Sequence, residues 1–153
     1  MLFICYDSMD FSLRKSFENA MIIHYLLMRD IAAKFVLSQP RKFIKQEKVI
    51  ELLRSHDDKH YVFDTTVDNI DLSLALAQQL KRKNNVIIFK GFYATLHMQR
   101  LLSANAFIDV IVNGFNFEAY HHIALGEKCV IYLVFLLLTV NTLKQEKILP
   151  IWQ

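Results

Sequence analysis

The fold of this chain is decided by three short apolar runs, Tyr61-Val-Phe-Asp64, Asn85-Val-Ile-Ile-Phe89 and Ile108-Asp-Val-Ile-Val112. Each run is rich in β-branched or aromatic residues and is too short to be a helix. Two helical segments, Ile70 to Lys83 and His97 to Ala106, lie between the runs. Strands that alternate with helices of this length are typical of repeated β-α-β units on a parallel sheet.

The segments outside this stretch extend the same pattern. Further strands are predicted at Leu2 to Tyr6 and Ala33 to Leu37, and further helices at Leu13 to Met28, Lys42 to Ser55 and Phe117 to Leu125. The chain is therefore predicted to form a doubly wound, flavodoxin- or Rossmann-like α/β domain over residues 1–126. It has five mainly parallel strands with helices on both faces, because 54% apolar residues favour a sheet that is buried on both sides.

The C-terminal extension, residues 127–153, is expected to pack on this domain. Its apolar run, Cys129 to Val140, is compatible with a late strand, an added hairpin or a buried helix, and periodicity does not decide between them. The run has 12 residues, which is shorter than the roughly 20 that a membrane-spanning helix needs.

The helix from Leu13 to Met28 is predicted to cover the sheet. Its inward face follows from apolar residues at helical spacing: Phe17, Ala20, Met21, His24, Leu27 and Met28. The opposite face, with Glu18 and Asn19 among its residues, is predicted to point to water.

Composition excludes several classes of protein. The formal net charge is only +3 and the basic residues are dispersed, so nucleic-acid binding is not expected. The two cysteines, Cys5 and Cys129, are far apart and are expected to be reduced, as in a cytoplasmic protein. Without a cluster of cysteines this chain cannot supply the ligands of an iron–sulfur cluster. No residue is predicted to be catalytic or to bind a metal ion.

Polar or glycine-containing residues follow each of the three central strands. They are Asp64-Thr-Thr66, Lys90-Gly91 and Asn113-Gly114. The carboxyl ends of parallel strands meet at one edge of the sheet, and open α/β sheets bind their ligands there. Glycine at a strand end permits a positive φ or the close approach of a ligand. A binding site is therefore predicted at this edge.

The same stretch resembles a known family. Asn85-Val-Ile-Ile-Phe-Lys-Gly-Phe-Tyr-Ala-Thr95 and Phe107-Ile-Asp-Val-Ile-Val-Asn-Gly-Phe-Asn-Phe-Glu118 are similar to the cobalamin-binding N-terminal domain of the radical-SAM family. There, one strand ends in Gly-Gly-Pro-His-Ala-Thr and a later strand continues into Gly-Glu-Gly-Glu. In this chain Lys90 replaces the first glycine and Phe92-Tyr93 replace Pro-His, and these larger side chains are expected to crowd the space of the corrin ring or to reshape it.

The resemblance implies a cobalamin-binding module whose radical chemistry resides in a partner or C-terminal domain outside this chain. No histidine is marked as the lower cobalt ligand, because the Asp-x-His-x-x-Gly motif of the cobalamin mutases is absent. The residues implied to contact the corrinoid are Asp64, Thr65, Thr66, Lys90, Gly91, Phe92, Tyr93, Thr95, Asn113, Gly114, Phe115, Asn116 and Glu118.

Two alternatives from other classes stay open. Asp7, Asp10 and Asp64 resemble the acidic pocket of phosphoacceptor receiver domains, although Lys90 and Asn113 stand where a receiver has its Thr and Lys. The other alternative is a ligand-free domain used for protein contacts. Its partner surface would be the aromatic edge, since aromatic residues are enriched at interfaces: Phe92, Tyr93, Phe115 and Phe117.

Overall fold

The structure is a computed structural model that describes residues 1–6, 12–38, 46–114 and 116–127. Five parallel strands form its sheet: β1 (Leu2–Tyr6), β2 (Lys34–Ser38), β3 (His60–Asp64), β4 (Val86–Lys90) and β5 (Val110–Val112). Their order is β2-β1-β3-β4-β5, and every neighbouring pair is parallel. This is the flavodoxin-like, doubly wound order, so the predicted fold class is confirmed.

Six helices connect and follow the strands in the described part of the chain. They are α1 (Ser12–Leu27), α2 (Gln46–Ser55), α3 (Ile70–Leu80), α4 (Phe92–Leu96), α5 (Met98–Ala104) and α6 (Phe117–Leu125). The last one has clear local determinants. The Asn116 side chain accepts a hydrogen bond from the backbone N–H of Ala119 at 3.1 Å, and Gly126 ends the helix with a φ of +74°.

Two helical boundaries differ from the prediction. The helix predicted from His97 to Ala106 is α5, which spans Met98–Ala104. A separate helix, α4, precedes it, because Gly91 turns the chain directly from β4 into α4. The helix predicted to reach Lys83 ends at Leu80. The carbonyl of Leu80 has no partner within the helix, because the helix stops there, and the Asn85 side chain donates a hydrogen bond to it at 2.8 Å.

Helices cover both faces of the sheet, as the apolar composition predicts. Side chains of β3 alternate between two cores: Phe63 packs with residues of α2 to α5, whereas Val62 packs with residues of α1 and α6. Both side chains are fully buried. Burial of the side chains on both faces of a strand is typical of a central strand in a parallel sheet.

The predicted inward face of α1 is wrong. Phe17 is 65% exposed and Met28 is 71% exposed, and His24 is also exposed, whereas Ile22 and Leu26 are buried against the sheet. The helix carries apolar residues on two faces, so periodicity alone could not decide which of them packs. The periodic stripe that was predicted to face inward is left on the outer surface.

Some predictions fall on residues outside the described ranges. They concern Asp7 and Asp10, the start of the helix at Lys42, the residue Phe115, and the C-terminal extension beyond Glu127. Within the described ranges, no helix is long and apolar enough to cross a membrane.

Candidate functional site

The carboxyl edge of the sheet brings three predicted segments together. Asp64, Lys90 and Val112 are aligned across β3, β4 and β5 in register. The turns at Gly91 and Gly114 therefore leave adjacent strands on the same edge. The predicted site residues divide here into a buried layer below the edge and a set of residues at its surface.

The buried layer consists of the ion pair between Lys90 and Asp64 and the fully buried Thr65. Lys90 and Asp64 are each only 4% exposed, and Lys90 Nζ lies 3.2 Å from Asp64 Oδ2. The Lys90 side chain thus points into the core between the sheet and the α1–α6 layer, where Val112 also lies. The Lys90 side chain, which was expected to crowd or reshape the space of the corrin ring, therefore lies buried beneath the edge and does not project over it.

Sequence reasoning missed two residues that complete this layer, and Asn19 of α1 is the first. Its Nδ2 atom donates to Asp64 Oδ2 at 3.3 Å and to Cys5 Sγ at 2.9 Å, and the residue is fully buried. Asn19 was predicted to point to water. A polar residue one helical turn before Ile22 and Ile23 was the available signal that it shares their inward face.

Tyr120 of α6 is the second missed residue. It is fully buried, and its ring packs against that of Phe3 with centroids 5.5 Å apart. Its hydroxyl makes no hydrogen bond to any of the described residues. Burial raises the pKa of Tyr120 well above 10.0, and the negative charges of Asp64 and Glu18 raise it further. Tyr120 is therefore a neutral phenol at physiological pH.

Backbone contacts join the turn after β3 to the turn after β4. The Lys90 carbonyl accepts hydrogen bonds from the Thr65 backbone N–H at 2.8 Å and from Thr65 Oγ1 at 2.7 Å. The Asp64 carbonyl accepts a hydrogen bond from Asn69 Nδ2 at 3.0 Å, and Asn69 Oδ1 accepts one from the Thr66 N–H at 2.8 Å. The two turns form one hydrogen-bonded unit.

The two glycines of the edge differ in what surrounds them. Gly91 has a φ of +101°, and a Cβ atom there would lie 2.4 Å from the Thr65 carbonyl oxygen, so the protein itself occupies that direction. Gly114 has a φ of +61°, and a Cβ atom there would meet nothing within 4 Å. Free space at the edge is therefore found at Gly114 rather than at Gly91.

The remaining predicted residues are distributed around these glycines. Phe92 is 80% exposed at the start of α4, while the Tyr93 ring packs against His97 with centroids 4.5 Å apart. The Thr95 N–H closes the first turn of α4 on the Gly91 carbonyl at 3.0 Å. Partly exposed side chains complete the surface layer: Thr66, Asn113 and Asn116.

Glu118 belongs to a different cluster. It lies on α6 and accepts a hydrogen bond from the hydroxyl of Tyr25, and its carboxylate is 3.9 Å from the Arg29 guanidinium, which in turn packs on the Tyr25 ring. The hydrogen bond from Tyr25 lowers the pKa of Glu118. The structure pairs this residue with α1 rather than with the two glycine turns.

A shallow groove of about 580 Å³ lies on the outer face of α1 and α6, and it adjoins Glu118, which pairs with the lining residues Tyr25 and Arg29. Its lining residues are Ala20, Met21, His24, Tyr25, Met28, Arg29 and Phe117. None of them is among the residues implied to contact a corrinoid. The groove is mostly apolar and open, and none of the three strand-end turns lines it, so the carboxyl edge stays the candidate site.

The part of the chain that the structure describes contains no group of three or more His, Cys, Asp or Glu residues able to hold a metal ion. Comparison with protein-family models, curated proteins and solved structures finds no match for this chain.

Proposed function

We propose that this chain is a corrinoid-binding module whose ligand lies on the carboxyl edge of the sheet, over the turn at Gly114. The observation that supports this proposal most is the placement of that turn. The Gly114 turn follows β5 and lies beside the Gly91 turn, which follows the neighbouring strand β4. Gly114 has a positive φ, and the space into which any other residue would project a side chain is open. A flat ligand can approach the backbone at such a position.

The residues present fit a corrinoid at one part of the edge. The exposed Phe92 ring offers an apolar surface for a planar macrocycle, and the side chains of Thr66, Asn113 and Asn116 offer hydrogen bonds to its amide substituents. The buried Lys90–Asp64 pair leaves this surface free of their charges. When bound, cobalamin supplies a cobalt ion that carries an alkyl group or electrons; this chain would bind and orient the macrocycle.

The receiver-like alternative is disfavoured by the position of Asp64. A phosphoacceptor carboxylate must be open to its phosphodonor, yet this one is 4% exposed and is shared between Lys90 and Asn19. Burial of a paired carboxylate is the arrangement of a structural ion pair.

A domain used only for protein contacts is the second candidate. The outward apolar stripe of α1 favours it, since large exposed apolar patches mark interaction surfaces. A domain with this role and no ligand would not retain a corrinoid, which is what the following experiment measures.

The test is retention of hydroxocobalamin after desalting, followed by the visible spectrum of the protein fraction. The wild-type protein is expected to keep a corrin spectrum, and Gly114→Trp is expected to lose it while keeping its circular dichroism. Gly126→Trp is the matched control, because Gly126 also has a positive φ and open surroundings but lies at the end of α6.

Loss of the spectrum in both tryptophan variants, or absence of it in the wild-type protein, would contradict the proposal. A parallel sample with Mg²⁺ and acetyl phosphate tests the receiver alternative, and stable phosphorylation of Asp64 there would replace the proposal.

A further inference from the structure

The Lys90–Asp64 pair lies directly beneath the proposed binding edge, although neither side chain reaches it. Asp64 Oδ2 is 3.2 Å from Lys90 Nζ and 3.3 Å from Asn19 Nδ2, so one carboxylate oxygen joins β3, β4 and α1. Through Cys5, Asn19 also joins β1 to the same group. Four elements therefore meet at one buried charge pair.

The backbone carbonyls of the same two residues accept the hydrogen bonds that hold the turns at the edge. The Lys90 carbonyl holds Thr65 by two hydrogen bonds, and the Asp64 carbonyl holds the Asn69 side chain that binds the Thr66 N–H. Gly91, the residue after Lys90, packs its backbone on the Thr65 carbonyl. These contacts connect the two buried residues to both turns.

We propose that Lys90 and Asp64 are positioning residues, which act through their buried ion pair to hold the turns after β3 and β4 in one arrangement for a ligand at the edge. This inference relies on the proposed function for the identity of the ligand, but the arrangement of the turns is independent of any ligand. Removing one charge leaves its partner buried and unpaired, which is strongly destabilising. Because the pair lies beneath the edge, we expect the edge to open and admit water to the remaining charge.

The experiment compares amide hydrogen exchange in the wild-type protein, Lys90→Met, Asp64→Asn and the double variant. The amides of Thr65 and Thr66 are the reporters at the edge, and interior amides of β1 and β3 report global unfolding. In each single variant we expect the edge amides to accelerate about tenfold more than the interior ones. The double variant, which removes both charges, is expected to recover the interior exchange rates, because no unpaired charge remains. Its edge amides are expected to stay faster than those of the wild-type protein, because the ion pair that holds the turns is absent.

Lys81→Met is the matched control. Lys81 forms an ion pair with Asp109 at 2.6 Å, in a partly exposed position beside the start of β4, at the opposite edge of the sheet. Its replacement is expected to leave the exchange of Thr65 and Thr66 unchanged relative to the interior amides.

Equal acceleration of edge and interior amides in Lys90→Met would overturn the inference, because it would indicate a contribution to overall stability alone. A double variant with the wild-type ratio of edge to interior exchange would overturn it as well, because the turns would then be held without the pair. If Lys90→Met fails to fold, the double variant decides: faster edge amides with wild-type interior exchange support the inference, and the wild-type ratio overturns it.

Hydroxocobalamin affinity provides the functional readout. We expect about tenfold weaker binding in Lys90→Met, and binding that stays weaker than wild type in the double variant, because both lack the ion pair. If the wild-type protein binds no corrinoid, the proposed function fails, whereas the exchange ratios still decide whether the pair positions the turns.

Discussion

Replacement of Gly91 by alanine tests the most constrained position of the edge. Its φ of +101° and ψ of 169° lie in a region that is essentially restricted to glycine, and a Cβ atom would stand 2.4 Å from the Thr65 carbonyl oxygen. The conformational strain costs about 1–3 kcal/mol, and forcing an extra carbon into a packed site adds about 1–3 kcal/mol. We therefore expect a loss of roughly 3 kcal/mol or more in the free energy of unfolding.

Gly114→Ala is the matched comparison. Its φ of +61° is left-handed, but the surrounding space is open, so only the strain of about 1–2 kcal/mol is expected. The assay is urea denaturation of both variants and the wild-type protein, followed by far-ultraviolet circular dichroism. Equal losses in the two variants would refute the reasoning that Thr65 fills the space beside Gly91.

Three further predictions follow from burial and from shifted pKa values. Phe17→Ala is expected to change the unfolding free energy by less than about 1 kcal/mol, whereas Leu26→Ala lowers it by about 2–5 kcal/mol. The reverse order would indicate that the face of α1 predicted from sequence is the one that packs on the sheet. Burial raises the pKa of Tyr120, so the unfolded chain loses this proton first and stability falls as pH rises above about 10. Tyr120→Phe should flatten that decline in urea titrations at alkaline pH, and an unchanged slope would contradict the assignment. Burial, together with the nearby N-terminal ammonium and Lys59, lowers the pKa of His60, so the unfolded chain takes up its proton first and stability falls as pH drops below about 6.5. His60→Phe should reduce this acid-side loss between neutral pH and pH about 5, measured as the urea midpoint, and an identical loss would argue against it.

The parallel sheet could be predicted because each strand is a short apolar run bounded by polar residues or glycine. The strand Leu2–Tyr6 and the helix Phe117–Leu125 were predicted with the boundaries that the structure has. The alignment of strand ends also followed from the sequence, since parallel strands end at one edge. This much depends on local pattern and general topology.

The orientation of side chains at that edge could not be predicted in the same way. Lys90 ends a strand, where a lysine ordinarily points to water, and only its pairing with Asp64 explains its burial. The inward face of α1 was missed for a related reason. Asn19 is buried through bonds to Cys5 and Asp64, contacts between residues distant in sequence that periodicity does not report.

The most direct test of the proposed site is a titration of isotope-labelled protein with hydroxocobalamin, followed by amide chemical shifts. Binding at the carboxyl edge predicts the largest changes at Thr66, Gly91, Asn113 and Gly114, with the amides of Met21 and Met28 in the α1 groove unaffected. Changes confined to the groove, or no changes at saturating ligand, would contradict a corrinoid site at the carboxyl edge.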